Sequence, residues 1–128
     1  MTTKTTSGIV ISVTAKYNKR LSYIEENSFV YEYHIRIKNS NPEQVQLLSR
    51  EWLIFDSLHA YSKVQGLGVI GEQPILDLNQ SHAYTSYCEL RSEMGFMEGH
   101  YIFLNRTTQQ KFKVNIPRFY LNFPGKLN

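Results

Sequence analysis

Apolar and polar residues alternate along most of this chain, which is the two-residue period of half-buried β-strands. The alternation is clearest between residues 29 and 38, where every second side chain is apolar or aromatic and most of the others are charged. One face of that predicted strand carries Phe29, Tyr31, Tyr33, Ile35 and Ile37. The same pattern predicts strands at residues 8–16, 45–56, 81–88, 96–104, 110–116 and 118–123, with a short segment at 60–64.

Turn signals separate these segments at regular spacing, and no convincing helical period interrupts them. The pattern is typical of an all-β chain folded as an antiparallel β-sandwich of about seven to eight strands. Residues 1–128 are interpreted as a single domain, with the polar residues 1–7 as a disordered N-terminal tail. Adjacent Leu47 and Leu48 indicate a β-bulge or a change of buried face, and Pro117 is expected to close the strand that begins at residue 110.

Residues 66–71 match GxGxxG, a spacing that often marks a phosphate-binding turn. In a dinucleotide-binding fold a helix opens at the third glycine. Here Pro74 follows three residues after Gly71, and the residues beyond it show no helical period. Gly66, Gly68 and Gly71 are therefore expected on a loop between strands. The spacing GxxxxGK[ST] is absent, which argues against a nucleoside triphosphatase.

One hypothesis for this loop is anion binding. Glycines adopt positive φ, and consecutive backbone N–H groups then converge on an anion as a nest. The side chain of Gln73 would add a donor, and the fold could bring Arg50 and Lys63 near. Gly68→Ala or Gly68→Val is expected to weaken such binding.

A second hypothesis gives the same loop to a protein partner. Leu67, Val69 and Ile70 would form an apolar tip, while the glycines only let the chain turn. On this interpretation Val69→Asp is expected to abolish partner capture and leave the fold intact. An open sandwich also has edge strands, which permit strand addition by a partner or by a second copy of the chain.

The charge of +3 is unevenly placed, because residues 99–128 contain five Lys or Arg and no acidic residue. Lys111 and Lys113 are expected to steer an acidic partner. Direct nucleic-acid binding is not favoured, since the alternation assigns most aromatic residues to the core. Trp52 is predicted to be buried between the sheets, together with Tyr87 and Tyr101.

Few residues offer catalytic or metal-binding chemistry. The histidines at positions 34, 59, 82 and 100 form no metal-binding motif, although Glu98 and His100 would share a strand face. No catalytic residue, metal site or cofactor is predicted, so the chain is interpreted as a non-enzyme. Cys88 is the single cysteine, and no apolar run is long enough to span a bilayer. A cytoplasmic protein without a membrane partner is expected.

Three blocks of sequence together resemble the ApaG family, also called CorD. They are residues 45–52, 66–74 and 97–101, and residues 84–88 and 116–119 support them. The resemblance implies an immunoglobulin-like, fibronectin type III-like fold and a link in bacteria to cobalt tolerance and magnesium efflux. It also implies that Gly66, Gly68 and Gly71, extended by Glu72, Gln73 and Pro74, contact a pyrophosphate or nucleotide, and that relatives act in protein interactions.

The function predicted from the sequence is therefore a non-enzymatic interaction module. Leu67, Val69 and Ile70 would bind a protein partner, with Lys111 and Lys113 supplying charge. The alternative is binding of pyrophosphate-containing nucleotides, such as diadenosine tetraphosphate, through the loop at residues 66–71. Its predicted ligand residues are Gly66, Gly68, Gly71 and Gln73.

Overall fold

The computed structural model describes residues 1–58 and 60–127, and these residues form two antiparallel β-sheets. The strands are β1 (Thr2–Thr6), β2 (Ile9–Tyr17), β3 (Phe29–Asn39), β4 (Val45–Asp56), β5 (Ala60–Leu67), β6 (Ile75–Leu76), β7 (Ser81–Leu90), β8 (Met94–Asn105) and β9 (Lys111–Asn122). Two short 3₁₀ turns lie at Ile24–Glu26 and Pro124–Leu127. None of the described residues forms a helix long and apolar enough to cross a membrane.

Sheet A has the strand order β1-β2-β3-β7, and sheet B has the order β5-β4-β8-β9, with β6 paired to β4. The two sheets pack face to face as an immunoglobulin-like, fibronectin type III-like sandwich, so the predicted all-β fold class is confirmed. The described residues form nine strands, because β1 and β6 add to the eight predicted segments while the segments at 110–116 and 118–123 form the single strand β9.

The core lies between the two inner faces. All five residues assigned to one face of β3 are buried, and so are the alternate residues Ile9, Ile11 and Val13 of β2. Trp52 is 3% exposed and packs edge-on against Tyr33 and Phe119 at ring centroid distances of 5.6 and 5.9 Å. Burial of Trp52 and Tyr101 is confirmed. The same prediction is wrong for Tyr87, which lies on the outer face of β7 and is 54% exposed.

The N-terminal residues are not a disordered tail, and that prediction is wrong. Thr2–Thr6 form β1 and pair with β2, from Thr6 opposite Ile9 to Thr2 opposite Val13. Ser7 and Gly8 connect the two strands with φ values of 49° and 77°. Positive φ at both central residues is the signature of a type I′ hairpin turn, and threonine favours strands. The turn therefore orders residues that composition alone assigns to a tail.

Two bulges shift the register of sheet B. Leu47 pairs with Phe103 and Ser49 with Ile102, which leaves Leu48 as the extra residue and confirms the predicted bulge. The expectation that Pro117 closes its strand is wrong, because β9 continues through it to Asn122. A register shift opposite Glu98 places Pro117 in a second bulge. Proline is tolerated there because a bulged residue is not required to donate to the ladder.

Cys88 is a buried thiol whose ionisation is coupled to folding. Burial, with the nearby carboxylates of Asp56 and Glu89, raises the pKa of Cys88 to about 12. The unfolded chain holds this thiol at a pKa of about 8.5. Above that pH the unfolded state releases a proton that the folded state retains, so the stabilising contribution falls as pH rises toward 12.

The expected result is a free energy of unfolding lower by about 1–2 kcal/mol at pH 10 than at pH 8 from this group alone. Urea denaturation at the two pH values measures the difference. Cys88→Ala serves as the control, because it lacks the thiol and its stability should fall less over the same interval. Equal losses in the two proteins would contradict the coupling.

Candidate functional site

The glycine-rich segment forms a tight hairpin beside the bulge of β4. Strand β5 extends through Gly66 to Leu67, beyond the short segment predicted at 60–64. Val69 and Glu72 then form an antiparallel bridge, with a hydrogen bond in each direction. Ile70 and Gly71 lie between them with φ values of 48° and 73°. This is a two-residue turn of type I′, and residues 66–73 are called the glycine hairpin below.

Each glycine has a structural role inside this hairpin. A Cβ on Gly66 would lie 2.9 Å from both Nη1 and Nη2 of Arg50, so its absence makes room for the guanidinium. A Cβ on Gly68 would lie 2.1 Å from the carbonyl oxygen of Glu72, and the φ of Gly68 is +61°. Gly71 has φ +73° with nothing within 4 Å of a Cβ, so its requirement is conformational alone.

The predicted anion donors are largely engaged with the protein itself. The amide of Gly68 donates to the Leu48 carbonyl at 2.8 Å, and the amides of Val69 and Glu72 donate to each other's carbonyls at 2.8 and 3.0 Å. The side chain of Gln73 donates to the same Leu48 oxygen at 2.8 Å. An anion at these groups would have to replace bonds that close the hairpin or hold it to β4. Nucleotide binding through this loop stays a prediction.

The predicted apolar tip divides into exposed and buried residues. The side chains of Leu67 and Ile70 are 76% and 60% exposed. Val69 is only 1% exposed and belongs to the core, so its assignment to the exposed tip is wrong. The reason is the turn itself, which reverses the chain after Val69 and directs that side chain between the sheets.

Lys111 and Lys113 lie on the outer face of sheet B, and both are exposed. Leu67, Ser49, Ile102 and Lys113 are successive Cα partners across β5, β4, β8 and β9. Three strand spacings therefore separate Leu67 from Lys113, a distance of roughly 14 Å. Ile70 instead lines a cleft on the side of the hairpin that faces β7. The structure thus places Leu67 and the two lysines on one surface.

A cleft opens between the glycine hairpin and β7, and the cation in its wall is Arg50. After the bulge at Leu48, Arg50 shares the inward face of β4 with Trp52. Its Nη1 donates to the carbonyls of Leu67 and Gly68 at 3.0 and 2.9 Å. The cleft has a volume of about 370 Å³ and is called the Arg50 cleft below. It is lined by Tyr33, Arg50, Trp52, Val69, Ile70 and Tyr84, with Thr85, Ser86 and Tyr87.

The hydroxyl of Tyr84, which lines the cleft, is a neutral hydrogen-bonding group paired with the buried Tyr101. The hydroxyls of Tyr84 and Tyr101 lie 2.6 Å apart. Burial raises the pKa of both tyrosines well above the usual value. Arg50 is therefore the charged residue that faces the cleft. The sequence suggested that Arg50 and Lys63 would approach the glycines; Arg50 does, whereas Lys63 pairs with Leu53 on the outer face of sheet B.

Glu98 and His100, the other pair considered for chemistry, each contact a different side chain at the surface. Glu98 accepts from Nε of Arg118 at 2.7 Å, and His100 lies 3.7 Å from a carboxylate oxygen of Glu51. Glu98 and His100 therefore face different partners. Within residues 1–58 and 60–127, no group of three His, Cys, Asp or Glu side chains is placed to hold a metal ion. His59 lies outside the described residues.

Comparison with known proteins gives consistent matches over most of the chain. A family model described as the ApaG domain matches residues 19–105. Protein ApaG of Proteus mirabilis is 38% identical over 124 residues, covering 97% of this chain and 98% of the relative. Protein ApaG of Mesorhizobium japonicum is 41% identical over 120 residues, covering 94% and 92%. A crystal structure described as a putative ApaA protein from Bordetella pertussis superposes with a TM-score of 0.87 at 34% identity, covering 91% and 94%.

Proposed function

The chain belongs to the ApaG family, and from this premise we propose that it is a non-enzymatic interaction module that binds a protein partner through the glycine hairpin. The contact residues are Leu67 and Ile70. Lys111 and Lys113 supply the charge that steers an acidic partner toward the same side of sheet B. The module acts in the cytoplasm, and the family's link to cobalt tolerance and magnesium efflux operates through the bound protein.

The observation that carries this proposal is the conformation of Ile70. A type I′ turn favours Asn-Gly, because Asn and Gly accept positive φ, whereas a β-branched residue at positive φ is an outlier. Ile70 has φ +48° and remains 60% exposed. The conformation costs about 1–2 kcal/mol, and burial inside the chain offsets little of it. Strain of this kind clusters at functional sites, and contact with a partner gives this side chain a role.

Leu67 is the second exposed apolar residue of the hairpin. Its side chain is 76% exposed at the end of edge strand β5, next to the turn. Exposed apolar residues of this size at a hairpin tip suit the centre of a small interface, where a partner excludes water from them. Site-specific photocrosslinking tests the contact directly. A photoreactive phenylalanine at Leu67 should capture a protein in cells, whereas the same group at exposed Thr108, in the β8–β9 turn, should not.

Ile70→Asn separates contact from folding. The substitution creates Asn-Gly, the favoured type I′ pair, so we expect the free energy of unfolding to rise by about 1 kcal/mol. Capture at position 67 should nevertheless fall at least tenfold, because the apolar contact is lost. Thermal denaturation and crosslinking yield measure the two effects. Undiminished capture by the stabilised variant would contradict the proposed contact. Capture of a second copy of this chain would identify the partner as the other subunit of a homodimer.

A further inference from the structure

Strand β7 has a free edge, and the Arg50 cleft runs along it. Among the described residues β7 pairs only with β3, at one end of sheet A. Four consecutive residues of β7 line the cleft: Tyr84 and Ser86 from its inner face, and Thr85 and Tyr87 from its outer face. Side chains from both faces reach one cleft only where it passes around the edge of a strand. Edge strands present unpaired N–H and C=O groups that accept an added strand.

Arg50 brings to this edge a positive charge that no described residue neutralises through an ion pair. Within the part of the chain that the structure describes, the ion pairs formed within 4.0 Å do not include Arg50. Its two hydrogen bonds both leave from Nη1 and end on neutral carbonyls. A guanidinium has five N–H donors, so Nε and Nη2 retain capacity for a further acceptor. A half-buried charge without a counter-ion favours an anionic ligand.

The lining of the cleft indicates which class of anion the cleft would bind. Apart from Thr85 and Ser86, the other lining residues are aromatic or aliphatic, and Tyr33, Trp52 and Val69 at the floor of the cleft are at most 5% exposed. One guanidinium balances a single negative charge, whereas a polyphosphate brings several. Arg and carboxylate also match as a planar, bidentate pair. The combination of one charge, an apolar floor and a free strand edge suits a carboxylate carried by an extended peptide.

We propose that the Arg50 cleft binds the carboxylate of an extended peptide segment that adds to the free edge of β7. This inference rests on the proposed function, since the segment would belong to the bound protein partner. The carboxylate comes from a chain terminus or from an acidic side chain. Glu72 and His82, 3.7 Å apart, join the hairpin to β7 beside the cleft, so the carboxylate lies toward Arg50 and away from Glu72.

The test uses three labelled hexapeptides of alternating threonine and valine. The first ends in leucine with a free carboxylate, the second is its C-terminal amide, and the third is amidated with glutamate as its fifth residue. Fluorescence anisotropy measures affinity, and the NMR signal of the Arg50 Nε–H reports the site. We expect saturable binding of at least one acidic peptide, at least tenfold tighter than the neutral amide. The first and third peptides distinguish a terminal from a side-chain carboxylate.

Arg50→Gln keeps a donor for the hairpin carbonyls but removes the charge. It should lower the affinity for the acidic peptide at least tenfold. Arg36→Gln removes one charge from the outer face of β3 and should leave affinity unchanged. If Arg50→Gln lowers the melting temperature too far for binding to be measured, the comparison of the acidic peptides with the neutral amide on the unsubstituted protein still tests the inference. Equal binding of the neutral amide, tighter binding of inorganic pyrophosphate at Arg50, or no binding of either acidic peptide at millimolar concentration would overturn the inference.

Failure of this inference and failure of the proposed function are distinguishable. Photocrosslinking at position 67 requires only that a protein contacts the hairpin. If capture persists while all three peptides fail, the interaction module stands and the carboxylate site is rejected. If capture fails while the acidic peptide binds at Arg50, the site stands and the hairpin contact is rejected.

Discussion

Val69→Asp is expected to destabilise the protein by at least about 4 kcal/mol, because it buries a carboxylate among apolar side chains. The Val69 side chain is 1% exposed and belongs to the core cluster. Native stability is typically only 5–15 kcal/mol, so a substantial fraction of molecules should unfold. Burial raises the pKa of such a carboxyl, so the loss should be greater at pH 7 than at pH 4, where the group becomes neutral.

Ile70→Asp is the matched control, since it places the same carboxylate one residue away on a side chain that is 60% exposed. Its stability should stay within about 1 kcal/mol of the parent protein, because aspartate accepts positive φ. Urea denaturation of both variants measures the difference. Similar stability of the two would show that the hairpin moves aside to expose residue 69. Partner-binding tests should therefore use position 70 or 67 and avoid position 69.

Gly68→Val is expected to cost about 3 kcal/mol or more and to detach the glycine hairpin from β4. A left-handed backbone costs a β-branched residue about 1–2 kcal/mol. The new Cβ would also meet the Glu72 carbonyl at 2.1 Å, a backbone atom that cannot rotate away. The amides of Val69 and Glu72 should then exchange with solvent much faster. Hydrogen exchange locates the loss, and chemical denaturation measures its size.

Gly71→Ala separates conformation from steric overlap. Gly71 has φ +73°, but nothing lies within 4 Å of an added Cβ, so only about 1–2 kcal/mol should be lost. Equal effects at positions 68 and 71 would contradict the role of the Glu72 carbonyl. Weaker nucleotide binding after substitution of Gly68 would not by itself identify a phosphate nest, because the substitution disrupts the hairpin. Only substitutions that leave the hairpin intact test that hypothesis.

Most of the strands follow from alternation, because each strand has one face in the core. The residues of β3 from Phe29 to Ile37 illustrate this, since every second one is buried. Predictions from neighbouring residues were wrong where the structure depended on how separate strands pair. β1 forms because the Ser7–Gly8 turn returns a polar segment onto β2, and β9 continues past Pro117 because this residue lies in a bulge. Composition alone does not report either arrangement.

The candidate site was predictable in position but not in detail. GxGxxG marked the turn because Gly68 and Gly71 require positive φ, and that requirement is local. The spacing did not report that Gly66 makes room for a guanidinium from another strand. The orientation of Arg50 depends on the bulge at Leu48, since one extra residue moves every later side chain of β4 to the opposite face. The paired leucines were its only sequence signal.

The sequence by itself determined the fold class, the family and the location of the tight turn. Side-chain period, resemblance and positive φ are properties of neighbouring residues and ordered motifs. Only the tertiary structure decided that Val69 is buried while Ile70 is exposed, and that Arg50 faces the free edge of β7 with no ion-pair partner among the described residues. Burial and charge compensation depend on contacts between residues far apart in the chain, and those contacts exist only once both sheets have packed.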